Sequence, residues 1–212
     1  MTSTAISGQG SKFYIAGTPG SALSITAITK AANAVVTATN TLAAGDLVLF
    51  GVVAGMPEIN GLIGQVLSAG LSGSSFTVNI DSSAFVAVGT TGAGTPQTLT
   101  KVANVHDYSG FDGAATELDK TNMDSTAMEN FPGLQDFGQF SINVDIDDAD
   151  VGQLALRGAK TASAIKIFKL ILPNGKTRFW QGWVKKFSET GGVNAIVKAS
   201  LDIRITGPVT FA

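Results

Sequence analysis

Glu117-Leu118-Asp119-Lys120-Thr121-Asn122-Met123-Asp124-Ser125, then Glu129, then Gly133-Leu134-Gln135-Asp136-Phe137-Gly138: the reading of this stretch decides how the chain is understood. It is acidic, rich in turn-forming residues and only sparsely apolar, while the chain on either side reads as β-strands. Such a segment does not belong in a core. It reads as a long surface loop over 112–138, and long loops in compact domains are functional or disordered. The spaced Met123, Met128, Phe131, Leu134 and Phe137 argue against disorder, because apolar anchors of that kind want a partner surface. The loop is expected to be mobile in the free chain and to order only against that partner.

Working outward, residues 139–145 form a strand. Asp147-Asp148-Ala149-Asp150 then caps a helix over about 149–160. Acids at its start and Arg157 and Lys160 near its end complement the helix dipole. Val151, Leu154 and Ala155 make an apolar stripe at helical spacing. Strands follow over 164–172, 177–184, 184–189 and 195–205, with Asn174-Gly175 and Gly191-Gly192 closing hairpins. Trp180 and Trp183 should face opposite sides of their strand, one in the core and the other at an interface, where Trp is enriched.

Before the loop, strands are expected over 10–16 and 99–109. The residues between them, 23–97, have another composition. Lys30, Asp46, Glu58 and Asp81 are their charged residues, and the rest is nearly all Ala, Gly, Thr, Val, Ser and Leu. Strands read over 24–29, 34–39, 47–53, 62–67 and 75–80. Turns fall at Ala44-Gly45-Asp46 and at 55–61, where Asn60-Gly61 is a strong local signal. Gly89-Thr90-Thr91-Gly92-Ala93-Gly94-Thr95-Pro96 reads as a linker. This is an inserted small β domain, 23–97, within a discontinuous host, 1–22 and 98–212. An exposed hairpin tip tolerates such an insertion.

The chain has 212 residues, no cysteine and a single histidine, His106, which excludes disulfides, thiolate metal sites and multi-histidine metal sites. No apolar run reaches transmembrane length. The start, Met1-Thr2-Ser3-Thr4-Ala5-Ile6-Ser7, lacks the basic and apolar regions of a signal peptide, so synthesis and assembly in the cytoplasm are expected. The net charge of −2 hides a division. Residues 1–106 are neutral, with three bases against three acids. Residues 107–150 carry eleven acids and one base, a net −10, and residues 151–212 carry ten bases and two acids, a net +8. Either the fold pairs its own charges, or neighbouring copies meet through complementary surfaces.

No constellation carries chemistry. Asp145, Asp147, Asp148 and Asp150 lack the spacing of a calcium loop, and helix capping accounts for them. Glu117 and Glu129 have no sign of a sugar cleft about them. His106 has no nucleophile in a recognisable setting. Gly8-Gln9-Gly10 is too short for a dinucleotide loop. The chain reads as a non-enzyme, without cofactor or metal.

The run Asp119-x-Thr121-x-x-Asp124-Ser125, Glu129, Gly133-Leu134-x-Asp136-x-Gly138 resembles the loop of the major tail tube proteins of long-tailed, siphovirus-type bacteriophages. The resemblance continues through Phe140-Ser141-Ile142-Asn143-Val144-Asp145-Ile146, Phe168 to Gly175, Phe179-x-Gln181-Gly182-x-Val184 and the closing run from Ala199 to Phe211. It covers roughly 3–22 and 98–212. The set Gly45-Asp46-x-Val48, Gly55-Met56-x-Glu58-x-Asn60-Gly61 and Phe76-Thr77-Val78 is similar to a small β-barrel-like module inserted in phage structural proteins. The resemblance implies a mainly all-β fold: a β-sandwich or barrel domain with one flanking α-helix, plus the inserted domain. It implies a structural virion protein of the phage tail. Copies would polymerise as stacked hexameric rings, forming a tube through which double-stranded DNA passes. The tape measure, tail terminator and distal tail or baseplate proteins would be partners. The residues expected at the contact between copies are Glu117, Asp119, Thr121, Met123, Asp124, Ser125, Met128, Glu129, Phe131, Gly133, Leu134, Asp136, Phe137 and Gly138. The alternative is a surface- or carbohydrate-binding β module, an adhesin or decoration protein, which would not form rods.

Overall fold

The computed structural model describes residues 5–212. Strands β1 (Lys12–Pro19), β2 (Leu23–Ile25), β3 (Ala27–Ile28), β4 (Val35–Thr37), β5 (Leu47–Val53), β6 (Ile63–Gln65), β7 (Ser75–Thr77) and β8 (Gly92–Val102) come first, with a 3-10 turn at Pro57–Ile59. Strands β9 (Val105–Gly110), β10 (Ala115–Asp119), β11 (Asn130–Gln135) and β12 (Gln139–Asp145) precede the helix α1 (Val151–Thr161). Strands β13 (Lys166–Ile171), β14 (Thr177–Thr190), β15 (Lys198–Ile205) and β16 (Thr210–Phe211) follow. The described residues are thus mostly β with one α-helix. The chain divides into two compact units: Lys101–Phe211 together with the chain up to Ile15, and Ala16–Thr100. The unit edges fall within β1 and β8.

In the first unit the antiparallel strand order is β1-β13-β14-β15-β12-β9, with β16 beside β14. Alternation explains these strands. On β12, Phe140, Ile142 and Val144 are buried; on its partner β15, Ala199, Leu201, Ile203 and Ile205 are buried. The opposite face pairs polar groups, and Ser141 Oγ donates to Asp202 Oδ1 at 2.7 Å. The core is aromatic. Phe140 and Trp180 lie 4.7 Å apart between ring centroids, Phe13 stacks on Phe168, and Phe111 meets Trp180 edge-on at 5.0 Å.

Helix α1 starts where Asp150 accepts a hydrogen bond from the Gln153 N–H at 2.8 Å. Its buried face is Gly152, Gln153, Leu156 and Ala159, not the expected stripe; Val151 and Leu154 are exposed. Two local facts turn the helix. Gly152 sits against the Lys101 carbonyl, where a Cβ would approach to 2.3 Å. The Gln153 side chain is buried because it bonds the Ala103 and Asp145 carbonyls and the Asp147 N–H. Periodicity of apolar residues carries no trace of either. Residues 177–190 are one strand, bent by a bulge between Val184 and Lys186, and the turn that follows spans 191–197, longer than a Gly-Gly corner. Trp183 is half-buried.

The second unit holds part of the large 11-stranded sheet and a separate three-stranded sheet. In one, β5 lies between β6 and β8, and β2 also pairs with β8; the other is β3-β4-β7. They enclose Ile25, Ile28, Val36, Val48, Phe50, Met56, Ile59, Phe76 and Val78. The expected linker at 89–96 is largely strand β8. Its glycines fit the sheet because a Cβ on Gly92 would come to 2.8 Å from Val53 and one on Gly94 to 3.0 Å from Val48. Glycine there serves close packing rather than flexibility.

Candidate functional site

The stretch over 112–138, expected as a loop, is a β-hairpin arm. Strands β10 and β11 pair as a two-stranded sheet of their own, with Leu118 opposite Phe131 and Asp119 opposite Asn130. The register slips between Ala115 and Glu117. Gly133 belongs at that irregularity, since a Cβ there would come to 2.4 Å from Thr116 Oγ1. Backbone pairing satisfies a polar segment that apolar pattern alone could not organise.

The tip is held by its own polar groups. The Thr121 N–H donates to Asp119 Oδ1 at 2.8 Å, the Asp124 N–H to Asn122 Oδ1, the Asn122 N–H to Ser125 Oγ, and the Glu129 N–H to Thr121 Oγ1. Lys120 Nζ lies 3.1 Å from Glu129 Oε2 and 4.5 Å from the Phe131 ring centroid. The bonds from Thr121 hold the Asp119 carboxyl below its ordinary pKa. Asp119, Thr121, Ser125 and Glu129 therefore fix the shape of the tip. Met123, Met128, Phe131 and Leu134 are exposed, as are Glu117 and Asp124.

The root is pinned to the first unit. The Gln139 N–H donates to Asp112 Oδ1 at 2.7 Å, the Asp136 N–H to the Ala114 carbonyl, and the Ile205 N–H to the Gly138 carbonyl. Asp136 accepts from the Gly138 N–H and pairs with Arg204 Nη2 at 2.6 Å. Those two interactions, Gly138 first, hold its carboxyl below the usual carboxylate range. Gly138 has φ +78°, and a Cβ there would come to 2.4 Å from Asp112 Oδ1; at Gly113 one would meet the Asp136 carbonyl at 2.4 Å. Phe137 is half-buried, packed against the aromatic core. Asp136, Phe137 and Gly138 thus hold the arm's root within the chain.

Sequence reading missed Leu118, the exposed cross-strand neighbour of Phe131, because that register emerges only once the slip is known. It also missed the apolar turn with exposed Val193, Ile196 and Val197. The charge division is in part internal: Arg204 pairs with Asp136 and Arg157 with Asp148, each joining the basic block to the acidic one. His106 Nε2 lies 2.8 Å from Asp145 Oδ2.

Residues 82–171 match the family described as phage tail tube, TTP, lambda-like. Over these residues the chain is similar to phage tail tube proteins. The matched span contains the whole arm, its root and α1. No curated protein matches the sequence. Among solved structures, the fold is similar to the tail of an empty GTA particle computed with helical refinement and C6 symmetry, at 17% identity and TM-score 0.46, over 54% of this chain and 86% of that one. It is also similar to the anti-feeding prophage (AFP) baseplate, 6-fold symmetrised, at 8% identity and TM-score 0.44, over 82% of this chain and 96% of that one. No helix among the described residues is long and apolar enough to cross a membrane.

Proposed function

We propose that this tail tube chain builds the tube wall by closing into rings, hexameric as the tail-tube resemblance implies, and that the β10–β11 arm joins one ring to the next. The observation that carries this reading is an arm tied down at its root and tip whose apolar side chains, Leu118, Met123, Met128, Phe131 and Leu134, are left in water. Side chains of that kind in an ordered hairpin mark a contact surface. Strand β9 closes the strand order of the first unit, and its outer edge offers unpaired backbone groups unless another copy covers it. Head-to-tail contacts close into rings when the rotation permits. DNA passing through the lumen should not be gripped by bases, so a neutral or acidic lumen is expected. Residues 23–97 are an insertion dispensable for the wall. Tail proteins at the tube's ends and inside it, the tape measure, terminator and distal tail proteins, are the partners. Negative-stain microscopy of the purified chain with a mass measurement tests this. Rods or rings support it; a monomer or trimer at all concentrations favours a surface-binding module and refutes it.

A further inference from the structure

Apart from Ile6, Ile165 and Phe211, the exposed large apolar side chains described in the first unit gather at two places. One is the arm. The other comprises Val193, Ile196 and Val197 in the turn between β14 and β15, with Val151 and Leu154 on the outer face of α1. The hydrogen-bond ladder places the two at opposite ends of one sheet. The arm's root joins the Gln139 end of β12, where the Gly138 carbonyl accepts from the Ile205 N–H. The turn and the start of α1 join its other end: the Ile146 N–H donates to the Val197 carbonyl, and Gln153 bonds the Asp145 carbonyl. At about 3.4 Å per residue, the ends of β12 are roughly 20 Å apart.

From this polarity we infer that the turn at 191–197, with the outer face of α1, is the seat for the arm of the next copy. The inference rests on the stacking reading above and names the surface that reading leaves open. A chain with apolar groups at both ends of one sheet can repeat head to tail only if one end receives the other, and an open repeat of that kind makes a filament. The occupant is therefore a second copy of this chain. Val193 is 96% exposed and Leu134 87%, so each has nearly its whole surface to lose to the other. The arm from Glu117 to Glu129 is acidic, with Lys120 alone opposing Glu117, Asp119, Asp124 and Glu129. The turn is closed by Lys198, and Glu189 beside it is paired to Arg157. Asp147 and Asp148 stand near the start of α1, so the contact is apolar first and only locally charge-matched.

The chain contains no cysteine, so paired cysteines report on one contact alone. Met123→Cys or Leu134→Cys is combined with Val193→Cys or Ile196→Cys, assembled, and joined with a flexible bis-maleimide. A ladder of covalent multimers from the double variants, with none from the single ones, is expected. Dimers from an arm cysteine alone, a crosslink within one chain, or rods whose double variants stay uncrosslinked would overturn the seat while leaving the tube reading intact. Absence of rods from the parent chain would remove both. As a second test, Val193→Asp with Ile196→Asp should raise the concentration needed for polymerisation roughly tenfold or more, with an unchanged thermal midpoint, because both side chains are exposed. An unchanged polymerisation threshold would also overturn the seat.

Discussion

Replacing Met123, Met128 and Leu134 together by serine should abolish or greatly weaken polymerisation and leave the subunit as stable as before. All three are exposed, so the free chain loses no buried contact. Surface substitutions of this kind change stability by about 0.5 kcal/mol or less. In the polymer each would supply about 1.5–3 kcal/mol if fully buried. Against this stands lost rotamer freedom, about 1.5–2 kcal/mol for each Met and about 0.5–1 for Leu. The backbone cost is small, because the hairpin ladder and the tip bonds already exist in the free chain. The net contribution per arm is then about 1–4 kcal/mol. At about 1.4 kcal/mol per factor of ten, the critical concentration should rise roughly fivefold to several hundredfold. Sedimentation of polymer against protein concentration, beside thermal melts of the unpolymerised subunit, measures both quantities. An unchanged critical concentration would refute the contact, and a fall in the melting midpoint parallel to the loss of rods would show that these side chains serve the subunit's own fold.

Replacing 23–97 by a short Gly-Ser turn should leave rods visible by negative stain, and loss of rods from a chain that still melts cooperatively would make the insert part of the wall. The Asp136 pKa is lowered in the folded chain, so its contribution to the root is present above the unfolded value of about 3.9 and is lost as pH falls through the lowered folded one. Asp136→Asn should therefore flatten the acid limb of a stability-against-pH curve and leave the neutral region nearly parallel to the parent. Gly138→Ala forces a side chain into a left-handed backbone against Asp112 and Gly113, and should cost at least about 1–2 kcal/mol in denaturant melts. Trp180→Ala opens the aromatic core and should cost about 3–5 kcal/mol by the same measurement.

The core of the first unit was legible because its strands alternate cleanly. Residues 139–145 show Phe140, Ile142 and Val144 on one face and polar neighbours on the other, and the structure places β12 over those residues. The arm was legible as a surface element with a purpose, but not as a hairpin. Pro132 and Gly133 interrupt the β11 pattern, and the slip opposite Glu117 breaks its phase, so neither strand shows period two. Strand β8 hid behind Gly92 and Gly94, whose missing Cβ atoms make room for Val53 and Val48 from elsewhere in the chain. The helix was found but rotated, because Gln153 is held inward by backbone carbonyls and not by hydrophobicity. Each of these misses depends on a contact between residues distant in sequence, which local pattern does not carry.

Hydrogen exchange across 115–135, compared between the free subunit and the assembled rod, tests most directly whether the arm is the stacking device. The ladder is formed in the free chain, but a two-stranded hairpin opens locally at little cost, so its ladder amides, Leu118 and Phe131 among them, should exchange faster there than those of the core strands. In the rod they should become strongly protected, together with the amides of the 191–197 turn. Equal exchange of the arm in both states, with rods plainly formed, would contradict the account.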